Sequence, residues 1–146
     1  MTNANDSTGF TAEERAAIKE HAREIRAVRR GSKQPELDGE AAVLAKIAEM
    51  SDVDRAIAER IHAIVAQVAP DLAPRTWYGM PAYAKGTTVI CFFQPGTKFK
   101  TRYSTLGFSD AAGLDDGRMW PNAYAITELT ADEESRIADL VRRAAN

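Results

Sequence analysis

The feature that most constrains this chain is a change of hydrophobic period at two prolines. Before them, Val53, Ile57, Ile61, Ile64, Val65 and Val68 fall on one side of a helix at about 100° per residue. That helix is expected to open at Ser51 and run to about residue 69. Pro70 and Pro74 cannot extend it, and they bias the residues before them toward extended backbone. From Arg75 onward the apolar residues recur at every second position, and β-branched and aromatic types take over. Helical material is therefore followed by strands.

Upstream, Thr11-Ala-Glu-Glu14 has the form of a capping box and starts a helix with a thin apolar stripe: Ala17, Ile18, Ala22, Ile25 and Val28. A stripe so narrow suits a helix that covers a core or crosses another element. Arg26, Arg29 and Arg30 favour its C-terminal end, and Gly31 can stop it. GSKQPELDG, residues 31–39, reads as a linker, and Glu40 to Met50 as a short helix carrying Val43, Leu44 and Ile47. Residues 1–10 read as disordered.

Downstream, Arg75 to Tyr78 reads as a strand broken by Gly79-Met80-Pro81. Thr87 to Gln94, TTVICFFQ, is apolar on both alternating sets, the pattern of a central strand covered on both faces. Pro95-Gly96 is a turn signal, and Lys98 to Ser104 alternates Phe99 and Tyr103 with Lys98, Lys100 and Arg102, so the two runs predict a hairpin. Thr105 to Asp116 reads as a loop and Ala123 to Leu129 as another strand. A second capping box, Thr130 to Glu133, opens a helix with Ile137, Leu140, Val141 and Ala144 on one face. The expected class is α+β: an antiparallel sheet of four or so strands flanked by N-terminal helices and a C-terminal helix.

A chain of 146 residues suits one domain. A net charge of -2 argues against a nucleic-acid binder, which is usually basic. One cysteine, Cys91, forms no intrachain disulfide, and no apolar run nears the roughly 20 residues that span a bilayer. The opening MTNANDSTG lacks the basic and apolar regions of a secretory leader, so a cytoplasmic protein is expected.

The aromatic stretch TWYGMPAY carries the main functional hypothesis. Trp77, Tyr78, Met80 and Tyr83, meeting Phe108 and Trp120 at the sheet's end, form the wall of a small-molecule pocket; the competing reading is plain core packing. His21 and His62 read as surface groups, with no His or Cys partner at metal-ligand spacing. Cys91 reads as a buried thiol, and no Gly-x-Ser-x-Gly element is present. Asp115 and Asp116 can face a hard cation or simply shape a turn. Lys98, Lys100 and Arg102, interleaved with Phe99 and Tyr103, have the composition of a single-strand binder, but alternation sends rings and cations to opposite faces.

The segments TWYGMPAY, VICFFQ, YSTLGFSDAAGLDDGRMWP and AYAITELT, followed by a C-terminal helix, resemble the bacterial YdhG-like family. That family is a domain of unknown function described as frataxin-like iron chaperones. The resemblance covers residues 51–145 and leaves 11–50 as an N-terminal helical extension before a domain spanning 51–146. It implies an antiparallel sheet flanked by helices, and iron as cargo. Frataxins hold iron on a ridge of exposed carboxylates; the nearest residues here are Asp115, Asp116, Asp132, Glu133 and Glu134. Two functions are thus expected: a non-enzymatic iron carrier, or a module that uses its aromatic cluster to bind a small molecule, another protein or a second copy of itself.

Overall fold

Helix α3 (Asp52–Val68) ends at Ala69, and strand β1 (Ala73–Trp77) begins four residues later, so the period change is also the structural change. The computed structural model describes residues 10–29 and 35–146. Of the stretch read as disordered, 1–9 lie outside the described residues; so do 30–34, with Arg30, Lys33 and part of the expected linker. The remaining elements are α1 (Ala12–Arg29), α2 (Pro35–Ala48), β2 (Met80–Lys85), β3 (Thr88–Gln94), α4 (Gly96–Phe99), β4 (Ser104–Phe108), β5 (Ala123–Ile126) and α5 (Ala131–Ala144). Helix α2 starts at Pro35 rather than Glu40, because proline is well suited to the first helical position, where an N–H has no helical partner.

The five strands form one antiparallel meander in the order β1-β2-β3-β4-β5, and the class is α+β. Each connection joins neighbours, as antiparallel pairing allows; β1–β2 and β2–β3 are tight turns, while α4 lies between β3 and β4 and the loop 109–122 links β4 to β5. Side chains alternate across the sheet and give it two unlike faces. One face carries Tyr83, Cys91, Phe93, Leu106, Phe108 and Ile126, which pack with Val43 and Ile47 of α2, Ile57, Ile61, Ile64 and Val65 of α3, and Ile137, Leu140 and Val141 of α5. Each fully buried aliphatic side chain contributes about 1.5–3 kcal/mol here. The register skips Ile90 between Tyr83–Cys91 and Ala84–Val89, and this bulge lets Ile90 join Cys91 in the core.

The other face carries Arg75, Trp77, Phe92, Gln94 and Thr105, all half-buried. Its apolar members Trp77, Met80, Ala82 and Phe92 are absent from the core cluster. β3 is central, as expected, but the core covers it on one face only. Both capping boxes place a carboxylate on the cap amide: Glu14 accepts from Thr11 N at 3.1 Å and Glu133 from Thr130 N at 2.8 Å.

Three expectations are corrected. The strand expected over 98–104 is absent; the chain makes the one-turn α4 and then β4, within the stretch read as a loop. The cause is Asp54 on α3, a carboxylate only 5% exposed. It accepts from Thr97 N at 2.9 Å and from Ser104 Oγ at 3.0 Å, while Ser104 Oγ accepts from Gly96 N at 2.9 Å. Buried charge must be satisfied this way, and the cage folds the chain around it. Second, Met80 and Pro81 do not break the strand but begin β2. Trp77 and Met80 close a two-residue turn, so Pro81 directs its missing N–H away from β1, and the β2–β3 ladder starts only at Ala82. Third, a boundary at residue 50 does not separate the core, because α2 supplies Val43 and Ile47 to it. Only α1 has the character of an extension: among the described residues none of its side chains belongs to the core cluster, Ala17 is buried, and Ile18 and Ile25 are exposed.

A candidate ligand cleft under the Tyr78–Gly79 turn

The hairpin joining β1 and β2 turns on Tyr78 (φ 53°) and Gly79 (φ 75°). Two central residues in the left-handed region are what a type I′ turn requires, and its twist suits a hairpin. Gly79 adopts this conformation freely; Tyr78, with a Cβ, does so at a cost of about 1–2 kcal/mol. Helix α1 holds the turn in place. Glu24 accepts from Tyr78 N at 3.2 Å through one oxygen and from Gly79 N at 3.0 Å through the other. The Tyr78 ring stacks on His21 with centroids 3.9 Å apart and planes 13° from parallel.

Two lysines flank the same turn. Lys98 of α4 donates to the Gly79 carbonyl at 3.1 Å. Lys46 of α2 donates to Glu20 of α1 at 3.0 Å and lies 3.6 Å from Glu49. The Lys98 chain is exposed along much of its length, but its ammonium loses hydration against the turn; this desolvation, with the nearby Lys46 charge, lowers its pKa. Among the described residues Lys98 has no carboxylate within ion-pair distance. Burial also pulls Lys46 down, but the hydrogen bond and charge of Glu20, with Glu49, outweigh it and leave Lys46 above the ordinary lysine value. The hydrogen bond from Lys46 in turn holds Glu20 below the ordinary carboxylate value.

Between these groups lies a cavity of about 280 Å³, lined by Lys46, Met50, Ser51, Asp54, Pro95 and Lys98 among others. Its wall combines two cations, Lys46 and Lys98, with the carboxylates of Glu49 and Asp54, the hydroxyls of Ser51 and Thr97, and an apolar patch. Asp54 is already engaged by Thr97 N and Ser104 Oγ, and Glu49 lies 3.6 Å from Lys46. A second cavity, about 330 Å³, sits between β5 and α5, where Glu133 is engaged by Thr130 and Arg136 lies over the Tyr124 ring at 5.4 Å.

The aromatic residues singled out in the sequence do not enclose one hollow. Trp77 stands on the open face against Phe92, centroids 5.1 Å apart, with Tyr78 beside it and Met80 buried opposite it. Tyr83 and Phe108 are core residues on the helix-covered face, and Trp120 packs against that core. Alternation puts Trp77 on the face away from the core, whereas Trp120, in the loop before β5, packs against the core on the other side.

His62, read as a surface group, is only 13% exposed on its side chain. Its Nδ1 shares a hydrogen bond of 2.9 Å with the Tyr83 hydroxyl, and its Nε2 one of 3.1 Å with Glu40. The tautomer that donates Nε2–H to the Glu40 carboxylate oxygen leaves Nδ1 to accept from the Tyr83 phenol. Burial raises the Tyr83 pKa, with Cys91 and Glu40 adding to the effect, and burial pushes the Cys91 thiol up to about 12. Both groups are held protonated inside the core, away from any substrate.

Asp115 and Asp116 are exposed loop residues. Among the described residues, no group of three or more His, Cys, Asp or Glu side chains converges on a metal position. No helix among them is long and apolar enough to cross a membrane. No family model, curated protein or solved structure matches the chain, so the functional reading rests on the chemistry of the cleft.

Proposed function

We propose that the chain is a non-enzymatic binding protein whose ligand is a small molecule bearing a carboxylate, taken up in the cleft under the β1–β2 turn. The observation that carries this reading is Lys98: a partly dehydrated ammonium with no carboxylate partner among the described residues, set beside a cavity that Lys46 also lines. An anionic group entering there gains a charge-assisted hydrogen bond and relieves the repulsion between the lysines. Ser51 offers a hydroxyl, and Met50 and Pro95 offer apolar contact to a short carbon skeleton. At about 280 Å³ the cavity is at the small end of ligand pockets. Iron carriage is supported by the sequence resemblance alone; no residue set in the cleft is built for a hard cation.

Calorimetric titration with succinate tests the reading. Saturable binding that weakens about tenfold or more in Lys98→Ala supports it, since a charge-assisted hydrogen bond is worth about 1.5–3 kcal/mol. Absence of saturation, or binding indifferent to Lys98→Ala, contradicts it.

A second reading, a protein-interaction module, is favoured by the half-buried Trp77–Phe92 pair on the open face, since such aromatics dominate interface energetics. Sedimentation as a concentration-independent monomer, together with wild-type behaviour of Trp77→Ala in partner capture, removes it.

A further inference from the structure

We propose that the Tyr78–Gly79 turn is a carboxylate receptor that α1 occupies with its own Glu24, and that a dicarboxylate ligand enters by replacing Glu24 and lifting α1. The proposal deepens the cleft reading and depends on it.

Four observations meet at this point. First, the recognition is that of a free carboxylate. Two consecutive backbone N–H groups face two oxygens of one carboxylate, at 3.2 and 3.0 Å, which is the arrangement of a backbone anion nest. Second, α1 presents two carboxylates one helical turn apart, Glu24 to the turn amides and Glu20 to Lys46. Lifting α1 therefore frees the amide pair and takes Glu20 from Lys46, which keeps only Glu49 at 3.6 Å, next to Lys98, and leaves adjoining positions for two anionic groups.

Third, the fit of α1 is incomplete. Nδ1 of His21 is shielded from solvent and has no hydrogen-bond partner, although Glu24 Oε2 lies 3.5 Å away. Both residues sit on one helix, three positions apart, and that geometry holds the ring and the carboxylate just out of reach. When α1 lifts, His21 leaves with it and its Nδ1 regains water, so the docked helix carries a cost that detachment relieves. Fourth, detachment sacrifices little apolar burial. No α1 side chain among the described residues belongs to the core cluster, and the helix is fastened by polar contacts that include Glu24 on the turn, Glu20 on Lys46, and Glu13 on Lys100 at 2.7 Å. A helix held this way opens at a fraction of the global unfolding free energy.

The turn itself is consistent with this role. A sequence selected only for a type I′ hairpin would place Asn or Gly at the first central position. Tyr78 accepts the strained conformation and supplies the ring that His21 covers.

The test is the succinate affinity of the full-length chain and of three variants. If α1 competes with ligand, the apparent affinity is the intrinsic one reduced by the fraction of molecules with α1 lifted. Glu24→Gln removes the competing charge while keeping the side chain's shape, and should tighten binding by about fivefold or more. Glu20→Gln should act in the same direction and serves if the first variant folds poorly. In the wild type, succinate should raise hydrogen exchange along α1. Unchanged or weaker affinity in both glutamine variants, with Lys98→Ala still abolishing binding, overturns the competition and leaves the cleft standing. Succinate binding that ignores Lys98→Ala as well overturns both.

Discussion

Glu24 receives the Gly79 N–H at 3.0 Å across 55 positions of sequence. A type I′ turn ordinarily leaves its central amides to water. Here a carboxylate from α1 takes them, while α2, α3 and α5 are fixed by apolar burial. The molecule therefore has two kinds of attachment, a hydrophobic one for the core and an ionic one for α1, and they should respond differently to the medium.

Acid should release α1 before it unfolds the sheet. Glu20 is held below its ordinary value of 4.5 by the Lys46 hydrogen bond, with the charges of Lys46, Arg23 and Lys98 adding to it. Glu13 is lowered in the same direction by Lys100. A carboxylate whose folded pKa is depressed contributes stability above its unfolded pKa and loses it as pH falls through the folded value, so docking should weaken progressively as pH falls below 4.5. Lys46 is raised above 10.5. Its contribution is complete below that value and is lost as pH rises above it through the folded pKa. Protection factors of α1 amides at neutral pH and at acid pH check this. Loss of protection in α1 with β2 and β3 still protected is the expected result; equal protection of α1 at both pH values contradicts it.

Gly39→Ala should destabilise, although it lies in a helix. In an exposed helix the change to alanine gains about 1 kcal/mol. A Cβ at residue 39 would stand 2.3 Å from the Pro74 carbonyl oxygen, a backbone atom of β1 that cannot swing aside. Forcing α2 off the sheet should cost about 1–3 kcal/mol in urea unfolding. A gain in stability would show that α2 and β1 are not in such close contact.

Asp54→Ala should cost about 2–4 kcal/mol, because it strips partners from Thr97 N and the Ser104 hydroxyl in a buried network. The change should also unwind α4, read by exchange of the Thr97 and Gly96 amides. A loss under about 0.5 kcal/mol, the range of an ordinary surface substitution, would refute the account of why the chain turns there.

His62→Ala should cost about 1–3 kcal/mol by orphaning the Tyr83 hydroxyl, and Tyr83→Phe in the same chain should recover part of the loss. Strict additivity of the two changes would contradict a shared hydrogen bond.

What local pattern determines was legible. The α3 stripe, both capping boxes, the central β3 and the C-terminal helix α5 all follow from residues within a turn or two of each other. α4 was not, because Asp54 and Ser104, which shape it, lie 50 positions apart, and the alternation of Lys98 to Ser104 imitates a strand. The aromatic pocket failed on parity. A sheet sends neighbouring residues to opposite faces, so sequence proximity could not tell that Trp77 faces away from Tyr83. The cleft was half legible: TWYGMP marked the place, but Tyr-Gly is not one of the dipeptides that signal a two-residue hairpin, so the stretch reads as a broken strand. Its charged partners were not, since Glu20 and Glu24, Lys46 and Lys98 come from three separate helices and meet only in the fold.

The most direct test of the central claim is an amide NMR titration of the full chain with succinate. The account predicts saturable shifts at Gly79 and Tyr78 and, at the same ligand concentrations, along α1 from Glu20 to Glu24, with the β3 and β4 amides unmoved. Shifts confined to β5 and α5, or shifts at Gly79 while α1 stays in place, would contradict it.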